Sequence, residues 1–161
     1  MTDVKVSVFA DHVAELGEGP GYDPLTGHVW WFDILGQKLF EKNWDSGETL
    51  VHDLGMKASA LAVIDRARQL IVTEHGLFIR ERASGRLTLH HPLEADNPVT
   101  RSNDARVHPS GAFWIGTMGR KAEEDAGSIW WYREGQVRKL FSGITITNSI
   151  CFSPAGRIGY F

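Results

Sequence analysis

The sequence has one cysteine, Cys151, and therefore lacks any Cys-x-x-Cys pair. This count excludes a disulfide framework within the chain and a thiolate zinc or redox motif. Cys151 lies between Ile150 and Phe152, whereas reactive thiols need electropositive, accessible surroundings. We therefore expect Cys151 to be an inert thiol in the apolar core.

Long apolar runs and several familiar motifs are also missing. No stretch approaches the roughly 20 apolar residues of a membrane span, and residues 1–10 do not have the pattern of a signal peptide. The net charge of −3 provides no field that would attract nucleic acid or an anionic membrane. Serine-hydrolase elbows, phosphate loops, dinucleotide fingerprints and paired metal-binding histidines do not occur. We expect a cytoplasmic protein without a nucleic-acid or membrane partner.

Helical periodicity is scarce, whereas short aromatic and β-branched runs recur between turn signals. The connectors 45–47, 83–85 and 134–135 have the composition of hairpin turns. The fold class is therefore all-β. We predict strands over 28–34, 38–43, 48–54, 70–73, 76–80, 86–90, 112–116, 128–133 and 136–141.

These strands repeat as units of about 40 to 46 residues, the range of four-stranded propeller blades. The centres of the second strands fall near Trp31, Ile71, Trp114 and Tyr160. The repeated order of segments favours a β-propeller of three blades and part of a fourth over a β-sandwich. We interpret residues 1–161 as the N-terminal part of a single propeller domain, truncated within a strand. Bare blade faces should then lead to self-association or to pairing with a missing C-terminal half.

Three segments of similar layout contain the candidate site residues. Each has an oxygen-bearing side chain, Glu18, Asn103 or Asn148, before a Pro-containing turn that ends in Gly. Carboxylate and amide oxygens suit Ca²⁺, Mg²⁺ or Mn²⁺. The guanidinium of Arg101 could hold a polyol oxygen by two hydrogen bonds. Taken alone, Glu18 could equally cap a turn, Asn148 could end a strand, and Arg101 could be a surface charge.

The motifs Leu16-Gly-Glu-Gly-Pro20, Arg101-Ser-Asn-Asp104, Phe113-Trp-Ile-Gly-Thr-Met118 and Ile146-Thr-Asn148 occur in order. With them the whole chain resembles the regucalcin/gluconolactonase (senescence-marker protein) family of sugar lactonases. The resemblance implies a six-bladed propeller that hydrolyses aldonolactones, with one divalent cation at its central channel. Calcium is favoured over manganese, magnesium and zinc.

The resemblance also implies roles for particular residues. Glu18 and Asn148 would bind the metal, and Arg101 and Asn103 would bind the substrate. The third metal ligand of relatives, an Asp that is also their proposed general base, would lie beyond Phe161, so no catalytic residue is expected in this chain. Relatives have a substrate-binding Glu after the Gly-Thr-Met, where this sequence reads Gly119-Arg-Lys121-Ala-Glu-Glu124, which leaves a substrate contact by Lys121 open.

Two functions of different class follow from these residues. The first is metal-dependent hydrolysis of a sugar lactone, with the isolated 161-residue chain inactive. The second is a calcium-binding or protein-binding propeller without catalysis, since propellers have many functions. In either case Asp104 is expected to support neighbouring side chains or backbone.

Overall fold

The computed structural model describes residues 4–161 of the chain. Its strands form three four-stranded antiparallel sheets and a two-stranded one, each called a blade below. Blade 1 contains β1 (Gly17–Asp23), β2 (His28–Asp33), β3 (Lys38–Asn43) and β4 (Thr49–Asp53). Blade 2 contains β5 (Ala58–Val63), β6 (Arg68–Thr73), β7 (Gly76–Glu81) and β8 (Leu87–Pro92).

Blade 3 is formed by β9 (Thr100–Val107), β10 (Phe113–Gly119), β11 (Gly127–Arg133) and β12 (Gln136–Ile144). Blade 4 consists of β13 (Cys151–Phe152) and β14 (Gly159–Tyr160). Within each blade the strands follow one another in sequence order. The predicted all-β fold, the repeat and the second strands at Trp31, Ile71, Trp114 and Tyr160 are confirmed. Among residues 4–161 no helix is long and apolar enough to cross a membrane.

The hairpins lie where the turn residues predicted them. The loop between β11 and β12 consists of Glu134 and Gly135, and both have positive φ, of 50° and 79°. A two-residue hairpin of this kind needs left-handed backbone at both central positions to match the twist of its strands. The turn residues therefore set the register of the outer strands.

The innermost strands β1, β5 and β9 were not among the predicted strands. β5 contacts both β1 and β9, so the three inner strands lie side by side and their blades radiate from them. Small residues occupy β5, which reads Ala-Ser-Ala-Leu-Ala-Val. Inner strands crowd together near the axis of a propeller, so they carry short side chains instead of the aromatic and β-branched residues that mark the outer strands.

Apolar side chains fill the spaces between neighbouring blades. Phe32 and Leu39 of blade 1 pack with Leu61 and Ile71 of blade 2 in one core cluster. A second cluster joins Val72 and Leu77 of blade 2 to Phe113 and Ile115 of blade 3. Phe32, Leu39, Ile71, Val72, Leu77 and Ile115 are fully buried. Burial of such side chains contributes roughly 1.5–3 kcal/mol each, so face-to-face packing stabilises the arrangement of blades.

A buried charge pair crosses the interface between blades 1 and 2. The Nη1 of Arg80 donates to Gln69 Oε1 at 2.7 Å and to Glu41 Oε2 at 3.2 Å. Gln69 Nε2 donates to the other carboxylate oxygen of Glu41 at 2.8 Å. Arg82 and His52 also reach Glu41, each with a nitrogen 3.0 Å from a carboxylate oxygen. Side chains of both blades therefore contact the Glu41 carboxylate, and the arginine charges come from blade 2.

The expectation that Cys151 lies in the apolar core is not met among residues 4–161, where its side chain is exposed. Its neighbour Phe152 packs edge-on against Trp114 of blade 3, with ring centroids 5.1 Å apart. Successive side chains of a strand point to opposite faces, so Cys151 faces away from blade 3. The apolar sequence around the thiol reflects the packing of Phe152 and of buried Ile150, and not burial of the thiol itself.

Acid should weaken the fold through Glu41. Burial alone would raise the pKa of this carboxyl, but His52, Arg82, Gln69 and Arg80 together lower it from 4.5 to about 2. A depressed folded-state pKa gives stability above pH 4.5 that is lost as the pH falls toward 2, here on the order of 3 kcal/mol. We expect Glu41→Gln to have a lower free energy of unfolding at pH 6 and a flatter pH dependence in urea titrations.

Glu48→Gln is the matched control, since Glu48 is exposed. Its free energy of unfolding should follow that of the parent protein at each pH. Parallel pH profiles for Glu41→Gln and the parent would contradict the assigned role of the pair.

Candidate functional site

The same backbone hydrogen bond marks one end of all three blades. In each, the residue after the second strand donates its N–H to the carbonyl of the residue before the inner strand. The three bonds join Ile34 to Leu16 at 3.0 Å, Glu74 to Lys57 at 2.9 Å and Arg120 to Val99 at 2.8 Å. Two residues beyond each acceptor stand Glu18, Ser59 and Arg101, so these three occupy equivalent positions at one end of the inner strands.

A β-bulge interrupts each inner strand just after this level. The register shifts between Glu18 and Gly21 in β1, between Ala58 and Ala60 in β5, and between Ser102 and Ala105 in β9. A bulge turns side chains away from the regular alternation and is common beside functional sites. Arg101 and Asn103, two residues apart, share one side of β9, and the bulge after Ser102 changes the direction of the residues that follow.

Gly19 allows the close approach of β1 to β5. Its φ is +60°, and a Cβ at this position would lie 2.1 Å from the carbonyl oxygen of Ser59. No larger residue fits without moving one of the two strands. Ser59 in turn donates from its hydroxyl to Ser102 of β9 at 2.9 Å, so the three inner strands are joined next to Glu18.

Arg101 and Asn103 are in direct contact. The Nη1 of Arg101 donates to the Asn103 side-chain oxygen at 3.0 Å and to the carbonyl of Ser102 at 2.8 Å. The amide Nδ2 of Asn103 donates to the carbonyl of Thr147 at 2.7 Å. Arg101 is 8% exposed, so the surface-charge interpretation is wrong for this residue. The two predicted substrate residues therefore form one unit that also contacts the segment before Asn148.

Asp104 holds the segment that carries Asn148. Its Oδ2 accepts a hydrogen bond from the backbone N–H of Ile150 at 2.5 Å, as expected for a supporting residue. Asn148 is exposed, and its side-chain oxygen accepts the N–H of Ser149 at 3.0 Å. Ser149 has a φ of 58°, which turns the chain sharply after Asn148. Asn103 and Asp104 thus hold the Asn148 segment against β9 from both sides.

Glu18 lies at the wall of a cavity of about 340 Å³ that is lined by β1, β5 and β9. Asp104 lines the same cavity. Glu18 is exposed, and no group among residues 4–161 donates a hydrogen bond to its carboxylate. A bare carboxylate beside an open channel can accept a cation or a hydrogen-bond donor.

Two residues near Arg101 were not predicted for the site. Glu74 and Arg120 occupy equivalent positions after β6 and β10, and Arg120 Nη1 donates to Glu74 Oε2 at 2.6 Å. Burial lowers the pKa of Arg101 and the charge of Arg120 lowers it further, while Glu18 and Glu74 raise it. The four charged groups therefore influence one another at one end of the channel. The sequence repeat could have identified both residues. Glu74 and Arg120 directly follow the second strand of their blades, as Ile34 does in blade 1.

The structure brings Arg101, Asn103 and the Asn148 segment into one hydrogen-bonded unit, and it places Glu18 where its charge acts on Arg101. It contains no cluster of three or more His, Cys, Asp or Glu able to hold a metal, as far as residues 4–161 are concerned. Lys121 is exposed, and its backbone N–H donates to Glu123 at 2.9 Å. The roles predicted for Glu18 and Asn148 as metal ligands stay predictions.

Comparison with known proteins identifies relatives along nearly the whole chain. The family described as SMP-30/Gluconolactonase/LRE-like region matches residues 16–161. A Rhizobium meliloti protein named as a sugar lactone lactonase is 51% identical over 152 residues, or 94% of this chain and 51% of that protein. The L-arabinolactonase of Azospirillum brasilense is 31% identical over 163 residues, or 98% of this chain and 54% of that protein. The chain thus spans about half the length of these relatives.

Solved structures share the fold. The crystal structure of regucalcin from Agrobacterium tumefaciens, described as a calcium-binding protein, superposes with a TM-score of 0.93 at 55% identity. The match covers 95% of this chain and 52% of that one. A gluconolactonase from Xanthomonas campestris matches with a TM-score of 0.71 at 18% identity over 89% of this chain and 52% of its own. At that identity the likeness is one of fold alone.

Removal of the Asp104 carboxylate should release the Asn148 segment. We expect Asp104→Ala to cost about 1–3 kcal/mol locally, since the buried N–H of Ile150 loses its acceptor. Hydrogen–deuterium exchange of this amide should accelerate roughly 10-fold, whereas Asp104→Asn, which keeps an acceptor oxygen, should exchange more slowly than Asp104→Ala.

Asp53→Ala is the matched control, because Asp53 accepts one backbone N–H, that of Gly55, at an exposed turn. Its removal should leave the Ile150 amide unchanged. Equal exchange at Ile150 in Asp104→Ala and the parent would show that Asp104 does not hold the segment.

Proposed function

Since the chain belongs to the SMP-30/gluconolactonase/LRE-like family, we propose that it is the N-terminal half of a β-propeller that hydrolyses a sugar lactone with the help of one divalent cation. The names of relatives from Rhizobium meliloti and Azospirillum brasilense support lactone hydrolysis as the reaction class. The observation that carries the proposal is the unit of Arg101, Asn103 and the Asn148 segment, which lies at the end of the channel where Glu18 stands.

The chemistry of Glu18 and Asn148 fits a hard cation. The Glu18 carboxylate has no hydrogen-bond donor among residues 4–161, and the Asn148 oxygen accepts only the adjacent N–H of Ser149 within this range. Oxygen ligands of this kind suit calcium first, and also manganese and magnesium, while a zinc site would more often include His or Cys. Two ligands leave the coordination incomplete. We propose that a third carboxylate, which also serves as general base, comes from beyond Phe161.

Each residue of this chain then has a defined task in the reaction. Arg101 is held by its bonds to Asn103 and to the Ser102 carbonyl, so its remaining N–H groups can fix an oxygen of the substrate in one orientation. Asn103 offers its amide oxygen and nitrogen at the same level, and its bond to Thr147 couples the substrate side of the site to the Asn148 segment. A bound cation would supply Lewis-acid polarisation of the lactone carbonyl and ease deprotonation of a water.

A second candidate function is cation binding without catalysis. It is favoured by the description of the Agrobacterium tumefaciens relative as a calcium-binding protein. The two functions share Glu18 and Asn148 and differ in the substrate side of the site. A binding protein has no need of a buried Arg101 held in one orientation, so lactone hydrolysis is the better supported of the two.

Glu18→Gln should weaken metal binding to the complete propeller. The substitution removes the negative charge from one of two proposed ligands and keeps its shape, and we expect a loss of affinity of roughly 100-fold for Ca²⁺. Isothermal titration calorimetry measures this loss. Arg101→Ala is the control, because its task is orientation, and it should raise KM and lower kcat/KM for the lactone while the metal affinity stays nearly intact.

An unchanged calcium affinity in Glu18→Gln would remove this residue from the metal site. Equal kinetics of Arg101→Ala and the parent would remove Arg101 from the substrate site.

The 161 residues as an isolated polypeptide should not open lactones above the spontaneous rate. They lack the third carboxylate, so neither the cation nor the water would be held as proposed. A pH-indicator assay with gluconolactone and xylonolactone, in the presence of Ca²⁺, Mn²⁺ or Zn²⁺, compares this polypeptide with the complete propeller. Metal-dependent turnover by the monomeric 161-residue chain would contradict the assignment of the general base to the remaining half.

A further inference from the structure

Arg101 is a buried cation without an anionic partner. It is 8% exposed, and no carboxylate among residues 4–161 lies within salt-bridge distance of its guanidinium. Both hydrogen bonds that it donates within this range use Nη1 and end on neutral oxygens. Buried charges in proteins are ordinarily paired, since an uncompensated one costs several kcal/mol. Within this half of the propeller, the unused N–H groups of Arg101 are therefore open to an anionic ligand.

A second arginine, Arg120, lies at the same end of blade 3 as Arg101. Met118 pairs with Arg101 in the ladder of β9 and β10, and Arg120 follows β10 directly and bonds to the carbonyl of Val99. The two arginines thus share one end of blade 3. Arg120 lowers the pKa of Arg101 after the larger effect of burial, as expected of two like charges at close range.

Among residues 4–161, no nearby carboxylate forms an ion pair with Arg101. Glu74 accepts hydrogen bonds from Arg120 Nη1 and from the backbone N–H of Lys57 at 2.9 Å, so it bonds to one arginine and acts on the other only through its charge. Glu18 faces the cavity, where a cation would bind under the function proposed above. Glu123 turns back to accept the backbone N–H of Lys121. Lys121 follows Arg120 directly, its side chain is exposed, and it makes no hydrogen bond or ion pair among residues 4–161.

From these contacts we propose that Arg101 and Arg120, with Lys121 at the rim, form an anion-binding subsite, and that the substrate is a lactone carrying a second acidic group on its carbon chain. The proposal rests on the lactonase function above and specifies its substrate class. Glu74 is a positioning residue in this subsite. Its bond to Nη1 fixes the guanidinium of Arg120 and leaves Nη2 and Nε of that residue for the ligand.

A negative charge on the substrate compensates the positive charge of the arginines, which a hydroxyl group does not. Hydroxyl groups accept hydrogen bonds from guanidinium groups but leave their positive charge uncompensated. Carboxylate and phosphate oxygens accept two parallel bonds from an arginine and also compensate the charge, which makes such pairs roughly twice as strong as neutral ones. A carboxylate and a phosphate group share this chemistry, and the experiment below distinguishes between them.

The experiment compares three lactones on the complete propeller. Glucono-1,5-lactone is neutral, glucaro-1,4-lactone carries a carboxylate, and 6-phosphoglucono-1,5-lactone carries a phosphate. We expect kcat/KM at low salt to be at least about 10-fold higher for one charged lactone than for the neutral one. Arg120→Gln should raise KM for the charged lactone by about 10-fold, with kcat and the neutral lactone little changed.

Arg66→Gln is the matched control, since it removes the same charge from an exposed turn at the other end of blade 2. It should leave every KM unchanged. Arg120→Gln loses the bond to Glu74 and could unfold for that reason. Lys121→Gln is therefore a second test, because the side chain of Lys121 makes no hydrogen bond or ion pair among residues 4–161. It should also raise KM for the charged lactone alone.

A binding measurement separates this inference from the lactonase function. Calorimetric titration with glucarate and gluconate needs no turnover, and glucarate should bind at least about 10-fold more tightly, in a manner that depends on Arg120. If glucarate binds more tightly than gluconate in an Arg120-dependent manner and no lactone is opened, the subsite is supported and the lactonase function is refuted. If lactones are opened while charged and neutral lactones show equal KM and glucarate binds no more tightly than gluconate, the subsite is refuted and the lactonase function stands.

Discussion

Face-to-face packing of four-stranded sheets is the constraint on which the remaining structure depends. Phe32 and Ile71 are fully buried between the first two blades, and Val72 and Ile115 are fully buried between the second and third. Because neighbouring sheets pack face to face, their inner strands are brought toward a common axis. The ends of β1, β5 and β9 meet there only because the apolar faces meet further out.

The candidate site forms where the inner strands meet and where each of them has a β-bulge. A regular strand would alternate its side chains, but a bulge at the same place in each inner strand re-aims them. Gly19 then lets β1 approach the carbonyl of Ser59, and the hydroxyl bond from Ser59 to Ser102 closes the contact to β9. Oxygen and guanidinium groups from distant parts of the sequence are thereby presented at one level.

The outer strands could be predicted from sequence and the inner strands could not. Aromatic and β-branched runs with hairpin turns reveal the former, whereas β5 is a run of small residues whose strand conformation comes from tertiary packing. Arg101 and Asn103 were identified from their motif, and their mutual bond follows. Arg120 was missed because its neighbour Glu74 is 46 residues away, and only the repeated backbone bond relates the two positions. Cys151 was misassigned because alternation, and not local composition, decides its face.

The buried pair of Glu41 and Arg80 has a consequence for how the chain assembles. Blades of similar shape can dock in the wrong order or with a second molecule, a common fault of repeat proteins. Only blade 2 offers Arg80 and Gln69 to the first blade, while the centre of β11 in blade 3 carries Trp130 and Trp131. A neighbour without these donors would leave the Glu41 charge buried and unpaired, at a cost of about 3–5 kcal/mol. The geometry of the pair therefore matches the first blade to the second, in addition to holding the two together.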